Sequence, residues 1–404
     1  MLRGAYRVAK TSDSRDTFAT GDSVLLLRVN RLDYVPSGLY SAELLCEKGH
    51  RVLALEYGYF QKHLEQEPGK IPRLRLGHPW ARRLPQPIAS VVLPLCTLVR
   101  LCLRFLRDGR PKLIISEGLH EQVLSFFLSI LFRVPYVCHV HEVFEFAHAR
   151  GWNKAYLACE GAVLRGAKLT VFPEKDRASV YRQRYGLDVP QYIAYNCPRK
   201  RSPALAVDWR GRLGLPSQAR LLGYWGGQGR TNALEQGIRA VARLPNTYFL
   251  LWGWSSPADR TYFKNLASGV GAGHRILFLG ELPADKWAAI AGLDASYCVY
   301  EPVELRFRHL ATASNKLMES LAAGVPVLTS NERDFRDIVD FYGVGVCAQG
   351  FSVDAIHLAL RELLDDEPGL SRRGENALRA HREGLNYEYQ YQPVLRALGD
   401  LLEV

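Results

Sequence analysis

Short apolar runs alternate with longer amphipathic segments along most of this 404-residue chain. Short continuous apolar runs are typical of strands that are buried on both faces, and apolar residues at helical spacing are typical of surface helices. We predict strands over 24–29, 51–56, 112–116, 136–140, 169–172, 220–225, 248–252, 275–279, 295–299 and 325–328, and helices over 39–48, 121–132, 154–165, 175–185, 234–244, 286–291, 353–364 and 393–402. The alternation predicts an α/β protein whose parallel sheets are covered by helices on both faces.

The length of the chain indicates two domains, each with room for its own core. Pro198 and Pro203, with the charged residues around them, are typical of a linker. We therefore expect a first domain over 21–200 and a second domain that begins at residue 201. Residues 1–20 are polar and charged without an apolar core, so we expect a flexible N-terminal tail rather than a signal peptide.

The segment 314–330 is the most informative part of the second half. It predicts a helix that Asn315 caps or precedes, a stop at Gly324 and a short buried strand. Lys316 and Glu319 lie three residues apart, so both project from one face of the first turn. A helix N-terminus and a lysine attract phosphate, and a carboxylate accepts hydrogen bonds from ribose hydroxyls. An ordinary surface helix followed by a core strand has the same local pattern.

The sequence NKLMESLAAGVPV at 315–327 resembles the nucleotide-sugar site of the retaining family 4 glycosyltransferases of the GT-B type. The resemblance implies two Rossmann-like, doubly wound domains that face each other across a cleft. The first domain would bind the acceptor, and the second, over 201–384, would bind the donor. A helix within 385–404 would pack back on the first domain.

The same resemblance implies an activity. A sugar would pass from a UDP- or GDP-linked donor to a glycan or lipid-linked acceptor, with retention at the anomeric carbon, in the biosynthesis of cell-surface polysaccharide or glycoconjugates. No cofactor and no metal ion are implied, because the nucleotide-sugar is a substrate. Asn315 and Lys316 would contact the donor, and Glu319 would accept hydrogen bonds from its ribose and belong to the catalytic centre. Many relatives carry a second glutamate eight residues earlier, where this chain has Ala311.

A glycine-rich loop, GGQGR at 226–230, follows the strand predicted over 220–225. Glycines let backbone N–H groups approach an anion, and an arginine forms paired hydrogen bonds with phosphate oxygens. By the resemblance, Gly227, Gly229 and Arg230 would hold the donor diphosphate. The family often has a lysine five residues further on, where this chain has Glu235. The loop matches neither a P-loop nor a dinucleotide fingerprint.

Two histidines close the strand predicted over 136–140, in the sequence CHVHE. His139 and His141 lie on one face, beyond the carboxyl end of a strand, where α/β proteins bind ligands. By the resemblance, His141 would contact the transferred sugar and take part in catalysis. Two alternatives remain: a structural histidine at a strand end, or a metal site with Glu142, Glu145 and His148, whose spacing matches no known zinc motif.

Two further loops are candidates for ligand contacts. Gly38, in a loop predicted after the first strand, would cover the donor phosphates by the resemblance, although a plain turn has the same pattern. The charged stretch 301–309 precedes the helix predicted within 314–330, which we call the signature helix. Either a sugar or phosphate contact or a solvated loop explains this stretch.

The net charge of +11 is concentrated in the first half. Residues 1–200 contain 30 Lys and Arg against 18 Asp and Glu, which is +12 and leaves −1 for the remainder. An anionic partner such as a membrane surface is one explanation, and simple solubility is the other. The stretch 84–107 combines leucines with arginines, which is typical of an interfacial helix or of a core helix with exposed arginines.

No run is long and apolar enough for a transmembrane helix, and the eight cysteines form no C-x-x-C pair. We therefore expect a cytoplasmic protein, at the inner face of the membrane if it binds lipid. No nucleic-acid recognition motif is present, so no nucleic-acid partner is expected. The alternatives to a glycosyltransferase are a nucleotide-sugar epimerase of the same fold and a non-catalytic GT-B-like scaffold protein.

Overall fold

A computed structural model describes residues 23–29, 32, 35–58, 71–77, 83–146, 152–229 and 232–403. The strands are β1 (Ser23–Val29), β2 (Arg51–Gly58), β3 (Arg73–Gly77), β4 (Leu113–Ser116), β5 (Tyr136–His139), β6 (Leu169–Phe172), β7 (Gln191–Ile193), β8 (Arg220–Trp225), β9 (Thr247–Trp252), β10 (Ile276–Gly280), β11 (Ala295–Cys298), β12 (Val327–Ser330) and β13 (Gly345–Ala348). The helices are α1 (Pro36–Glu47), α2 (Gln86–Asp108), α3 (Leu119–Phe132), α4 (Trp152–Gly166), α5 (Lys175–Tyr185), α6 (Trp209–Leu213), α7 (Leu234–Ala242), α8 (Pro257–Gly269), α9 (Lys286–Ala291), α10 (Leu305–Arg308), α11 (Asn315–Ala322), α12 (Arg333–Tyr342), α13 (Val353–Leu364), α14 (Glu367–Glu383) and α15 (Tyr387–Glu403).

Two parallel sheets form the centres of two domains. The first has seven strands in the order β3-β2-β1-β4-β5-β6-β7, and the second has six in the order β10-β9-β8-β11-β12-β13. In each sheet the chain order reverses at the centre, between β1 and β4 and between β8 and β11. This confirms the predicted α/β fold with two Rossmann-like domains.

The central strand β1 shows why both faces of the first sheet are covered. Its side chains alternate, so Leu25 and Leu27 lie in one apolar cluster while Val24 and Leu26 lie in the other. The first cluster includes residues of α2 and α3, and the second includes residues of α1 and α15. A strand that must be apolar on both faces appears in the sequence as a continuous apolar run.

The last helix, α15, packs against the first sheet. Tyr391, Val394 and Leu398 are fully buried in the same cluster as Val24 and Leu26. The prediction that Pro393 begins this helix was wrong, because the helix begins at Tyr387 and contains Pro393 in its interior. The missed first turns are polar and aromatic. Tyr387 and Tyr391 are buried in the apolar cluster of the first domain, whereas Tyr389 is exposed.

The pattern did not predict β3, β7 or β13, nor helices α8, α12 and α14. The sequence of β3 is RLRLG, an alternation suited to the edge of a sheet, and β7 has only three residues. Within the described ranges, no helix combines the length and apolarity needed to cross a membrane.

Candidate active site

A cleft lies where the carboxyl ends of the central strands meet. Open α/β sheets bind ligands at the point where the strand order reverses, because neighbouring loops there diverge to opposite faces. A cavity of about 860 Å³ lies at this place in the first domain and extends to the second. Its lining includes Arg28, Glu117 and His141 from the first domain, and Glu304 and Asn315 from the second.

His141 lies in the lining of this cavity, two residues beyond β5. Its Nε2 lies 2.6 Å from Oε2 of Glu117. Glu117 follows β4 directly, and its backbone N–H donates to the carbonyl of Leu27 at 3.1 Å. Glu117 was not predicted from the sequence, although a carboxylate directly after a buried strand at the reversal point was the signal that could have identified it.

Glu117 is fully buried between two histidines. Nδ1 of His139 lies 2.8 Å from Oε1 of Glu117, and the Tyr391 hydroxyl lies 3.0 Å from Nε2 of His139. Burial by itself would raise the pKa of Glu117, but the charge and hydrogen bonds of His139 and His141 outweigh it and hold that pKa well below its usual range. Glu117 is therefore an ionised carboxylate in the interior.

Arg177 connects the backbone at His141 to the second domain. Its guanidinium donates to the carbonyl of His141 and, through Nε at 2.6 Å, to the carbonyl of His309. Burial lowers the pKa of Arg177, with Glu142 and Glu174 acting in the opposite direction. A second link is the hydroxyl of Thr312, which donates to the carbonyl of Pro173 at 2.6 Å.

Gly38 lies inside the first turn of α1 rather than in a loop before it, because Pro36 already begins the helix. Proline suits this position, where its missing N–H removes no helical hydrogen bond. A Cβ at Gly38 would lie 2.9 Å from Cδ of Glu117 and 3.0 Å from Cδ1 of Leu32. The glycine thus allows α1 to approach the Glu117 carboxylate.

The glycine-rich loop follows β8. Gly226 has φ +123°, and a Cβ at Gly253 in the neighbouring loop would lie 2.1 Å from the carbonyl oxygen of Gly226, so two backbones meet closely here. The carbonyl of Gly227 accepts hydrogen bonds from the Tyr224 hydroxyl and, at 2.7 Å, from the Asn232 side chain. Gly229 is half-buried in the same loop. The predicted cation of the loop, Arg230, lies outside the described residues.

Helix α11 begins at Asn315, but its cap is Ser314. The Ser314 hydroxyl accepts from the backbone N–H of Leu317 at 3.3 Å, and Asn315 is exposed and lines the cavity. This corrects the prediction that Asn315 is the capping residue, which the sequence pattern alone allowed equally.

Lys316 turns away from solvent. Its Nζ lies 3.3 Å from the centroid of the Tyr224 ring and 5.0 Å from that of Tyr300, and the residue is 6% exposed. Burial lowers the pKa of Lys316 to about 7, against smaller raising effects of Cys298 and Glu319. The aromatic faces partly replace the hydration that the ammonium loses.

Glu319 is the second buried carboxylate of the site. The indole N–H of Trp225 donates to its Oε2 at 2.7 Å, and Lys286 Nζ lies 2.7 Å from its Oε1. Trp225 and Lys286 were not predicted as site residues, and nothing in their local sequence marks them. Burial, followed by the charge of Glu319, raises the pKa of Tyr40 on α1, so α1 of the first domain lies near this carboxylate.

The two positions that depart from the family pattern have structural roles here. Ala311 is fully buried in a short 3-10 turn, and its N–H donates to Asp334 at 2.8 Å. Glu235 accepts from the Arg239 guanidinium at 3.0 Å and from the Tyr262 hydroxyl. Neither residue presents an unpaired charge to the cleft.

The charged stretch 301–309 contributes several contacts between elements. Glu301 accepts from Gln236 at 3.0 Å, and Glu145 of the first domain accepts from the N–H of Leu305 at 3.1 Å. Glu304 lines the cavity, whereas the side chain of Arg306 is outside the described part of the structure.

The metal alternative can be compared with the side-chain geometry. Among the described residues, ligand atoms converge within 4.8 Å in two groups, Glu117 with His139 and His141, and Glu174 with Asp176 and His309. In the first group, one nitrogen of each imidazole lies within 2.8 Å of an oxygen of Glu117, so these atoms already contact one another. Neither group is the set proposed from the sequence, and His148 of that set lies outside the described residues.

Both halves of the chain match known families. Residues 39–195 match the family described as "Glycosyl transferase 4-like domain", and residues 208–380 match "Glycosyl transferases group 1". No curated protein sequence gives a significant match to the chain.

Several solved structures are similar over almost the whole chain. Sucrose-phosphate synthase from Thermosynechococcus elongatus is 18% identical with a TM-score of 0.73, covering 95% of this chain and 99% of that one. HepE from Anabaena, solved with UDP-glucose, is 16% identical with a TM-score of 0.70, covering 94% and 99%. WaaG, a glycosyltransferase involved in lipopolysaccharide biosynthesis, is 16% identical with a TM-score of 0.64, covering 92% and 98%. With the two family matches and the two-domain fold taken together, the chain belongs to the GT-B glycosyltransferases.

Proposed function

We propose that the protein transfers a sugar from a nucleotide-sugar to a glycan or lipid-linked acceptor. One observation carries the proposal: the consecutive residues Tyr224 and Trp225, at the end of β8, contact Lys316 and Glu319 of α11. The glycine-rich loop and the signature helix, far apart in sequence, are thereby neighbours at the reversal point of the second sheet. HepE, which has the same fold, is solved with UDP-glucose, and this supports a UDP-linked donor.

The donor diphosphate would lie between the loop of Gly227 and Gly229 and the start of α11 at Asn315. Backbone N–H groups of the loop and helix would donate to its oxygens. Arg230 and Lys316 would supply positive charge to the leaving diphosphate as the bond between the anomeric carbon and the phosphate oxygen breaks. An anion beside Lys316 would favour its protonated form, so donor binding would be coupled to proton uptake.

Glu319 would accept hydrogen bonds from the ribose, and His141 would contact the transferred sugar across the cleft. The acceptor oxygen would bond to the anomeric carbon while the nucleoside diphosphate departs with the bonding electron pair. Retention at that carbon is proposed from the resemblance of 315–327 to the retaining family.

A membrane-bound acceptor is proposed from the outer surface of the first domain. Leu95, Leu103 and Leu106 on α2 are exposed, as are Ile130 and Leu131 on α3, against which α2 packs. The exposed arginines on and beside these helices are Arg100, Arg107, Arg110 and Arg133. An apolar face surrounded by cations suits the surface of an anionic bilayer, and would hold the enzyme at the inner face of the membrane.

Sedimentation with phosphatidylglycerol vesicles tests this surface. The double variant Leu103→Glu with Leu106→Glu should lose most vesicle binding. Leu358→Glu, at an equally exposed leucine of the second domain, should keep it. Equal binding by all three proteins would contradict the assignment of the surface.

Thermal unfolding with UDP, GDP, ADP and their sugars tests the donor site. A ligand at 100 times its dissociation constant adds about 2.7 kcal/mol to the free energy of unfolding. Release of nucleotide that depends on an added acceptor would support transfer. Conversion of the donor sugar without acceptor would indicate an epimerase, and absence of both binding and turnover would indicate a scaffold protein.

A further inference from the structure

We propose that Glu117 is a positioning residue that fixes His141 as a hydrogen-bond acceptor in the cleft, so that this place accepts a substrate hydroxyl and disfavours a carboxylate or phosphate. The proposal deepens the proposed glycosyl transfer and rests on it for the identity of the substrate as a sugar. The hydrogen on Nε2 of His141 follows from the geometry, whereas the lone pair on Nδ1 belongs to the neutral imidazole that we propose.

The proton positions follow from the distances around Glu117. An ionised carboxylate only accepts hydrogen bonds. Oε1 lies 2.8 Å from Nδ1 of His139 and Oε2 lies 2.6 Å from Nε2 of His141, so both nitrogens must carry a hydrogen. Glu117 is fully buried, and no exchange with solvent competes for these contacts.

The contact between His139 and Tyr391 agrees with these hydrogen positions. A neutral His139 with its hydrogen on Nδ1 has a lone pair on Nε2, and the Tyr391 hydroxyl lies 3.0 Å from that atom as donor. Tyr391, His139, Glu117 and His141 then form a continuous series of polar contacts. Tyr391 belongs to the last helix, so α15 completes a network that ends in the cleft.

The neutral form of His141 that we propose therefore has its hydrogen on Nε2 and a lone pair on Nδ1. Within the described part of the chain, Nδ1 has no hydrogen-bond partner, and His141 lines the 860 Å³ cavity. A hydroxyl can donate to this lone pair. An ionised carboxylate or phosphate has no hydrogen to donate. It would be repelled by the lone pair on Nδ1 of His141 and by the negative charge of Glu117.

The charged side chains described around the cavity also favour a ligand with hydroxyl groups over an anionic one. Glu121, Glu142 and Glu304 line it as well as Glu117. Arg28 is a cation of the described lining, but its guanidinium donates to the carbonyl of Glu117 and lies 3.6 Å from Glu121. An anionic group on the substrate would have to displace these contacts to reach Arg28.

Nitrogen NMR of the histidine side chains tests the arrangement directly. The protein is labelled with ¹⁵N-histidine, and His141→Gln assigns the resonances of His141. We expect the Nε2–H form of His141 in the unliganded protein. In Glu117→Gln, whose amide both donates and accepts, this preference should be lost, while Glu117→Asp should retain it. Glu160→Gln is the matched control, because Glu160 is a buried carboxylate of the same lining that binds Tyr181 and Tyr185 instead.

Kinetics test the consequence for the substrate. Glu117→Gln should lower kcat by about 10- to 100-fold, the range for residues that orient a functional histidine, with the affinity for free UDP or GDP within about two-fold of the original. The unsubstituted protein should prefer a neutral hexose to a hexuronic acid on the same nucleotide by at least about ten-fold, and Glu117→Gln should narrow this ratio.

Three results would overturn the proposal. They are an Nδ1–H form of His141 in the unsubstituted protein, unchanged kcat in Glu117→Gln, or activity that is lost with EDTA and restored by Mn²⁺ together with metal-induced shifts of the three side chains. If Glu117→Gln fails to fold, Tyr391→Phe tests the same network from its far end and should weaken the Nε2–H preference. If no nucleotide or nucleotide-sugar of the panel binds while His141 keeps its Nε2–H form, the proposed function is contradicted instead.

Discussion

The amine of Lys316 lies 3.3 Å from the centre of the Tyr224 ring, in the interior of the second domain. The Tyr224 hydroxyl at the same time donates to the carbonyl of Gly227. One aromatic side chain thus lies under the lysine of the signature helix and holds the glycine-rich loop. A substitution on either side of the Tyr224 ring should therefore alter both the glycine-rich loop and the signature helix.

The lowered pKa of Lys316 makes stability depend on pH. The amine has a pKa of about 7 in the folded protein and an ordinary value of 10.5. Between these values the unfolded chain holds a proton that the folded chain lacks, so this group makes the free energy of unfolding increase as pH rises from about 7 to 10.5. Lys316→Met should remove this dependence, which is about 1.4 kcal/mol per pH unit for one proton. Urea denaturation at pH 7, 8 and 9 measures it, and Lys264→Met at an exposed lysine should leave the slope unchanged.

The indole of Trp225 should be needed for donor affinity. Trp225→Phe keeps an aromatic ring but removes the N–H that donates to Glu319 at 2.7 Å. Hydrogen bonds to charged groups contribute about 1.5–3 kcal/mol, so we expect UDP binding to weaken by about ten-fold or more as Glu319 loses its orientation. Calorimetric titration measures this. Unchanged affinity in a folded Trp225→Phe protein would mean that Glu319 does not contact the nucleotide.

Arg177 should be a major contributor to stability. Arg177→Met leaves the partly buried carbonyls of His141 and His309 without this donor, at a cost of about 1–3 kcal/mol for each. We therefore expect a loss of roughly 2–5 kcal/mol in urea denaturation. Arg184→Met provides the comparison, because Arg184 is exposed and donates to one carbonyl, that of Phe144. Equal losses in the two variants would show that Arg177 contributes no more to stability than one exposed hydrogen bond.

Gly38→Ala should disturb the active site through Glu117. The new methyl group would lie 2.9 Å from the Glu117 carboxyl carbon, and such overpacking costs about 1–3 kcal/mol. We expect a lower melting temperature and lower kcat. Gly399→Ala, where a Cβ meets nothing within 4 Å inside α15, should instead leave stability unchanged or raise it slightly. A fully active Gly38→Ala protein would argue against a role for the Glu117 position.

Local patterns identified most of the elements of the fold. The strand β8 and the helices α5, α9 and α13 lie at their predicted residues, because apolar runs and helical spacing record which side of each element is buried. The edge strand β3 and helix α14 were missed, since β3 has only five residues and α14 is rich in charged residues. The signature helix was found from its motif, but the direction of Lys316 into the interior depends on Tyr224, which is 92 positions earlier in the chain.

By itself, the sequence determined the alternation of strands and helices, the two domains with their parallel sheets, and the motifs that mark a nucleotide-sugar enzyme. Only the tertiary structure decided which side chains meet: Glu117 with His141, Trp225 with Glu319, and Tyr391 of the last helix with His139. The reason is physical. Periodicity reports the burial of each element separately, whereas these contacts depend on the order of strands in the sheets, which is set by long-range packing.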